Sequence, residues 1–184
     1  MKKFFLISLS LLLLATISPL ISQCGSHKKE VKSYSRTHQD IVDIAIDSDV
    51  HTTLVAAVKA AGLVSILKSD GPYTVFAPTN LAFERLPEGT VETLLQPSSK
   101  SDLIDVLTYH VIPASVTAET LVAAITAGGG TFEMSTVQGD ELTASMKGNH
   151  VILTDTKGRI SKITATDLRG SNGYVHVIDT VVLP

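Results

Sequence analysis

The stretch that most constrains the fold is 71–86, GPYTVFAPTNLAFERL, which has the pattern of a strand, a turn and a helix. Residues 73–76 favour a strand, and Pro78 is expected to end it because proline has no N–H for the sheet ladder. Thr79 or Asn80 can cap the helix that follows. The expected apolar contacts of that helix are Leu81, Phe83 and Leu86. The pattern predicts a strand–turn–helix corner.

The end of the chain, residues 172–184, is a second constraint with the sequence NGYVHVIDTVVLP. Its Asn-Gly pair is a turn signal, and the residues after it favour extended structure. Apolar side chains fall on both faces of the segment, which suits a strand buried in the middle of a sheet. We therefore predict a long central strand over residues 174–183.

Further along the chain, helical patterns come first and strand patterns follow, which is typical of an α+β fold. Gly62 is expected to end one helix, and no internal repeat is present. Residues 40–46 fit a short helix or a packed N-terminal arm. Helices are predicted over or within residues 54–61, 63–68, 91–96, 101–110 and 117–127. Strands are predicted over residues 131–136, 141–146, 151–154, 160–166 and 174–183.

Residues 74–83 and 172–184, with the Tyr109-His110 pair between them, resemble the signature motifs of the fasciclin-type domain. This domain is a module of secreted and surface-attached proteins. The resemblance covers roughly residues 37–184. It implies an α+β fold, a wedge-shaped β-sandwich with helices packed along one side, present as a single domain.

The N-terminus has the pattern of a signal peptide over residues 1–23. Lys2 and Lys3 form a positive start, the segment 4–15 is apolar, and Pro19 ends it. A transmembrane anchor is the alternative, but it needs about 20 apolar residues, and serines, Thr16 and Pro19 interrupt this stretch. The pattern therefore predicts export, and the polar residues 24–36 are expected to form a tether.

Cys24 is the only cysteine, so it has no partner for a disulfide within the chain. Its position after the apolar segment resembles a bacterial lipoprotein processing site, where the thiol takes a diacylglycerol and the new N-terminus is acylated. Gln23 departs from the small residue usual before such a cysteine. The resemblance implies a membrane-anchored lipoprotein of the cell envelope or surface. The alternative is a secreted or periplasmic protein with a free thiol.

Charge and motif content exclude several function classes. Without residues 1–23 the chain has 13 basic and 18 acidic residues, which argues against nucleic acid as a partner. No histidine has metal-ligand spacing to another histidine or to Cys24, and no serine lies in a nucleophile-elbow context. We therefore expect no metal, no cofactor and no enzymatic activity.

Two pairs are candidate ligand-binding residues on the strength of the resemblance. Tyr109 and His110, with their aliphatic neighbours, match a pair implicated in integrin binding by animal matrix members of the family. Asp167 and Leu168 lie where adhesive members carry an Asp-Ile pair. The alternatives are structural: His110 and His176 as buried, hydrogen-bonded histidines, and Asp167 as the cap of a turn.

These observations lead to an exported, lipid-anchored binding module as the expected function. The resemblance implies adhesion, with an extracellular matrix, glycan or cell-surface component as the partner and acylated Cys24 as the membrane contact. One alternative is a structural envelope lipoprotein that binds other envelope proteins. The other is an enzyme or small-molecule binder, which a deep pocket with perturbed titratable groups would indicate.

Overall fold

The computed structural model describes residues 39–184. The predicted signal peptide, Cys24 and the predicted tether lie outside the described residues. The helices are α1 (Ile41–Ile46), α2 (Thr52–Ala61), α3 (Val64–Leu67), α4 (Asn80–Glu84), α5 (Thr90–Leu94), α6 (Lys100–Tyr109) and α7 (Ala118–Ala127). The strands are β1 (Tyr73–Pro78), β2 (Val111–Ile112), β3 (Thr131–Ser135), β4 (Glu141–Lys147), β5 (His150–Thr154), β6 (Ile160–Gly170) and β7 (Gly173–Ile178). No helix within this part of the chain is long and apolar enough to cross a bilayer.

The seven strands follow the order β2-β1-β7-β6-β5-β4-β3, so β7 is central as predicted. It pairs in parallel with β1 and antiparallel with β6. The strand is shorter than expected, because it ends at Ile178 rather than at residue 183. Asp179 turns the chain away: its N–H donates to the Lys162 carbonyl (3.1 Å), and its carboxylate accepts from the Lys162 N–H (2.9 Å). Val181 and Val182 nevertheless stay buried.

Strand β6 belongs to both halves of the sheet. Its residues 160–162 pair with β5, and residues 163–170 pair with β7 across two register irregularities. The two outermost strands also approach each other, since the N–H of Val137, just after β3, donates to the carbonyl of Val111 in β2 at 2.8 Å. The sheet is therefore nearly closed, and its two halves enclose the first core.

Two apolar clusters stabilise the domain, one inside the sheet and one under the helices. The inner cluster includes Phe76, Leu142, Leu153 and Ile178, none of which is exposed to solvent. The second packs α1, α2 and α6 against the outer face of β1 and β7, and includes Leu54, Leu103, Leu107, Ala77 and Val175. These layers confirm the α+β class and the helices along one side.

The predicted corner is present, with one error in its contacts. β1 ends at Pro78, and the Thr79 hydroxyl caps α4 by accepting from the Ala82 N–H. Leu81 is 65% exposed, so the prediction that it packs inward is wrong, whereas Ala82 is fully buried. Neighbouring helical residues point about 100° apart, and the small Ala82 occupies the inward position. The side chain of Asn80 instead accepts from the Thr53 N–H at the start of α2.

Candidate functional site

Helix α6 brings Tyr109 and His110 into the interior. Tyr109 is fully buried, and its hydroxyl donates to the carbonyl of Glu141 at 2.9 Å. His110 is 2% exposed, and its Nδ1 lies 2.7 Å from the carbonyl of Val106. Because a carbonyl only accepts, Nδ1 carries the proton. Burial lowers the pKa of His110 to about 4, although the bond to Val106 opposes this shift.

Neither side chain of this pair reaches the surface of the folded domain. The Tyr109 hydroxyl links α6 to β4, whereas His110 bonds within its own helix to Val106, and its Nε2 has no hydrogen-bond partner among the described residues. A direct contact between this pair and a partner would require the domain to open. Their role in ligand binding stays a prediction, and the geometry assigns them to the interior.

Asp167 lies within β6, at the second register irregularity, and not in a turn. The interpretation of Asp167 as the cap of a turn is therefore wrong. Its backbone has a φ of 59°, a left-handed value that aspartate tolerates better than most residues. Its carboxylate accepts from the N–H of Ala118 at 2.9 Å, so it caps the first turn of α7 across the sheet.

His176 links Asp167 to the residues before α7 through both nitrogens of its ring. It is fully buried, its Nε2 lies 2.8 Å from the carbonyl of Val116, and its Nδ1 accepts from the Asp167 N–H at 3.3 Å. This pairing fixes the tautomer, with the proton on Nε2. The predicted buried, hydrogen-bonded histidine at this position is confirmed. The exposed residue Asp167 is thus connected to the core.

Leu168, which is 37% exposed, leads to the end of the β6–β7 hairpin. It pairs with Val175, and the next residue, Arg169, pairs with Tyr174. Since successive side chains of a strand point to opposite faces, Leu168 and Arg169 lie on different sides of the sheet. Leu168 and Arg169 are therefore not parts of one continuous contact surface.

An open groove of about 390 Å³ lies beside Arg169. Its wall includes Asp70 and Ser115, which are exposed, and Tyr174, which is half-buried. Arg169 and Tyr174 are not among the candidate binding residues that the sequence indicated. The Asn-Gly turn signal at residues 172–173 lies one residue away from the observed turn, which falls at residues 171–172 and pairs residue 170 with 173 and residue 169 with 174.

Elsewhere in residues 39–184, the titratable residue Asp155 stabilises the fold. In this range no group of three histidine, cysteine, aspartate or glutamate residues is arranged to hold a metal ion. Burial alone would raise the pKa of Asp155, yet hydrogen bonds from Arg159 and Leu183 outweigh it and lower that pKa. Asp155 therefore fastens the C-terminal segment to the loop after β5.

Comparisons with known proteins agree with this architecture. The family model of the Fasciclin domain matches residues 49–184. Protein sll1483 of Synechocystis sp. is 46% identical over 146 residues, which cover 78% of this chain and 73% of that protein. Transforming growth factor-beta-induced protein ig-h3 of Sus scrofa is 35% identical over 144 residues, covering 78% of this chain and 19% of that protein.

Among solved structures, a FAS1 domain pair from the insect cell adhesion molecule Fasciclin I superposes with a TM-score of 0.54. The identity is 18%, and the match covers 71% of this chain and 43% of that one. At this identity the likeness shows a shared fold. Together with the family match over most of the described residues, it means that the chain belongs to the fasciclin domain family.

Proposed function

We propose that this protein is an exported adhesion module, which binds an extracellular matrix, glycan or cell-surface component with the end of its β6–β7 hairpin. The supporting observation is the open polar groove of about 390 Å³ beside Arg169 and Tyr174. Fasciclin I, which shares the fold, is a cell adhesion molecule. Binding by surface complementarity, without turnover, suits such a groove.

The groove offers groups that recognise polar ligands. The ring of Tyr174 gives an apolar face with a polar tip, Arg169 supplies a fork of donors, and Asp70 supplies acceptors. A sugar ring presents the complementary apolar face and hydroxyl groups. A polar protein loop offers similar chemistry, so the proposal extends to both partner classes.

The four candidate residues take different parts in this proposal. Asp167 and Leu168 lie in residues 167–174 at the end of the β6–β7 hairpin, which we call the hairpin arm. In it, Asp167 is exposed and Leu168 is partly exposed. Tyr109 and His110 would act from the interior, by keeping α6 and the sheet in place behind the arm. Only the first pair is proposed to contact the partner in the folded state.

Export and anchoring complete the proposal. A signal peptide over residues 1–23 would direct export, and acylation at Cys24 with a tether over 24–36 would hold the domain (37–184) on a membrane of the cell envelope. Two or more acyl chains give stable anchoring, whereas one gives marginal binding. The expected place of action is the cell envelope or surface, with release as a secreted protein if Cys24 is not modified.

A binding screen tests the adhesive function. The full chain, solubilised in mild detergent, is applied to an array of matrix proteins and glycans beside its Asp167→Asn and Asp140→Asn variants. Both variants remove one exposed negative charge, but only the first lies on the hairpin arm. A specific hit weakened by Asp167→Asn alone supports the proposal. A reproducible absence of hits contradicts adhesion and favours a structural envelope role.

Cell fractionation tests the anchor independently. Wild-type protein is expected in the membrane fraction, and Cys24→Ala is expected in the soluble fraction. Cys24→Ser, which also lacks the thiol but keeps the polarity, is the matched control and should behave like Cys24→Ala. Membrane retention of both variants would contradict acylation at this cysteine.

A further inference from the structure

A second groove, of about 510 Å³, lies where α4 and α5 meet. The chain turns between these helices at residues 85–89, and the N-terminal part of α2 closes the groove at Thr53. Its apolar floor is formed by Phe83, Leu86 and Val91, each of which is only half-buried. It shares no residue with the groove beside Arg169.

Carboxylates surround this floor. Glu84, Glu88 and Glu92 line the groove and are exposed, and no lysine, arginine or histidine lines it. The other polar lining groups include Asn80, whose side chain is already occupied by Thr53 and by the carbonyl of Asp49. Within residues 39–184 the ion pairs are made by the carboxylates of Asp40, Asp43, Asp155 and Asp179. The three glutamates take part in none of them.

The positions of the three glutamate carboxylates indicate which kind of cation this groove could bind. They do not form a metal-binding group in the described part of the chain. An extended cation with several charged centres could pair with all three glutamates. The apolar floor adds the requirement that apolar groups lie between those centres.

The charge of the domain disfavours two other occupants of this groove, a second copy of the domain and nucleic acid. Six of the 15 basic residues, but only one of the 18 acidic residues, precede Gln39, so the described domain is strongly acidic. A second copy of this domain would place like charges at the rim, and nucleic acid would be repelled in the same way. A basic partner is attracted by the same field.

We propose that this groove binds a basic, partly apolar peptide segment of a protein partner. Leucine-sized side chains would cover Phe83, Leu86 and Val91, while flanking lysine or arginine side chains pair with the glutamates. Arginine fits especially well, because its guanidinium can also pack on the face of Phe83. The groove would give the module a second contact, independent of the hairpin arm.

Fluorescence anisotropy with a defined peptide tests this inference. The full chain in mild detergent is titrated into a labelled peptide of sequence Lys-Leu-Arg-Leu-Lys, blocked at both ends. We expect saturable binding that weakens at least tenfold in a Glu88→Gln/Glu92→Gln variant. The matched control is Glu119→Gln/Glu133→Gln, which removes two exposed glutamates outside the groove and should bind like wild type. Thermal melting of each variant verifies folding.

Two altered peptides separate the groove from general charge attraction. In the first, serine replaces both leucines, so the peptide keeps its positive charge but loses its apolar side chains. In the second, acetyl-lysine replaces lysine and citrulline replaces arginine, so the peptide keeps its leucines but loses its charge. Both should bind at least tenfold more weakly than the parent peptide. Equal binding of the serine peptide, or equal weakening by the two glutamate pairs, would show attraction to net charge alone and overturn the proposal. Absence of saturable binding by the parent peptide would overturn it as well.

Discussion

The backbone N–H of Asp167 donates to Nδ1 of His176 at 3.3 Å, although Asp167 is exposed and His176 is fully buried. The other ring nitrogen of His176 donates to the carbonyl of Val116. One imidazole thus links β6, β7 and the chain before α7. The conformation of the hairpin arm therefore depends on the buried side chain of His176.

Replacement of His176 by phenylalanine is expected to lower the free energy of unfolding by about 2–5 kcal/mol, because the buried Val116 carbonyl and the partly buried Asp167 N–H both lose their partner. Urea denaturation of the variant measures this loss. His150→Phe is the control, since His150 is exposed and its replacement should change stability by less than about 0.5 kcal/mol. Equal stability of both variants would show that the His176 bonds contribute little.

Two substitutions of Asp167 separate its charge from its structural role. Asparagine keeps a side-chain acceptor for the Ala118 N–H and tolerates a φ of 59°. Alanine provides neither. Asp167→Ala should therefore lose about 1–2 kcal/mol of stability, and Asp167→Asn should lose less than half as much. Thermal denaturation compares them, and an Asp167→Asn variant as unstable as Asp167→Ala would contradict the proposed cap.

Local patterns in the sequence predicted much of this fold correctly. Gly62 ends α2 with a φ of 79°, Thr79 caps α4, and the last strand is central. Each of these depends on a few neighbouring residues, such as a glycine at a left-handed position or a proline without an N–H. The late strands were also found, because apolar and polar residues alternate in them.

Long-range contacts explain what was missed. β7 ends at Ile178 because of bonds to Lys162, and β2 has only two residues, which gives no pattern to read. The role of Asp167 depends on Ala118, which is 49 positions earlier in the chain. Burial of Tyr109 and His110 fits the aliphatic neighbours of the pair, and the bond of His110 to Val106 is local to the helix, but the Glu141 partner of Tyr109 follows only from the assembled sheet.

Lowering the pH from 6.5 to about 4 should destabilise the domain, because its buried histidines resist protonation in the folded state. Burial holds the pKa of His110 at about 4, against an ordinary value of 6.5, and it also lowers that of His51. Unfolded protein therefore takes up protons first as the pH falls. Stability is full above pH 6.5 and declines down to about pH 4, by up to about 3 kcal/mol for His110. Denaturation at a series of pH values measures the slope.

The variant His110→Phe isolates this effect, because it removes the titrating group and keeps an aromatic ring. Its stability should vary less between pH 6.5 and 4 than that of wild type, whatever its absolute value. The carboxyl groups of Asp43, Asp155 and Asp179 have lowered pKa values. Their contribution is fully present above about pH 5 and is lost as the pH falls through 3.8 and below, and because both proteins contain these groups, it cancels in the comparison. An identical slope in both proteins would contradict the assignment to His110.

Asp155 is expected to be the most sensitive acidic residue of the fold. Its buried carboxylate accepts from the N–H groups of Lys157, Arg159 and Leu183 and pairs with the Arg159 guanidinium at 2.7 Å. Asp155→Ala leaves these donors unpaired, and should lower the free energy of unfolding by about 3–5 kcal/mol. Chemical denaturation measures the effect.

The control for that experiment is Asp140→Ala, an exposed position between β3 and β4. This change should alter stability by less than about 0.5 kcal/mol. Increased hydrogen exchange in the last residues of the Asp155→Ala variant would further support the link to Leu183. A loss no larger than that of Asp140→Ala would mean that Asp155 does not hold the C-terminal segment.

The most direct test of the central claim is equilibrium binding of the full chain to its best array partner, measured beside Arg169→Ala and Lys147→Ala. Each variant removes one exposed basic side chain from a strand, but only Arg169 lines the polar groove. We predict that Arg169→Ala weakens binding at least tenfold and that Lys147→Ala changes it less than twofold, with both variants as stable as wild type. Unchanged binding by Arg169→Ala would contradict recognition through the end of the hairpin.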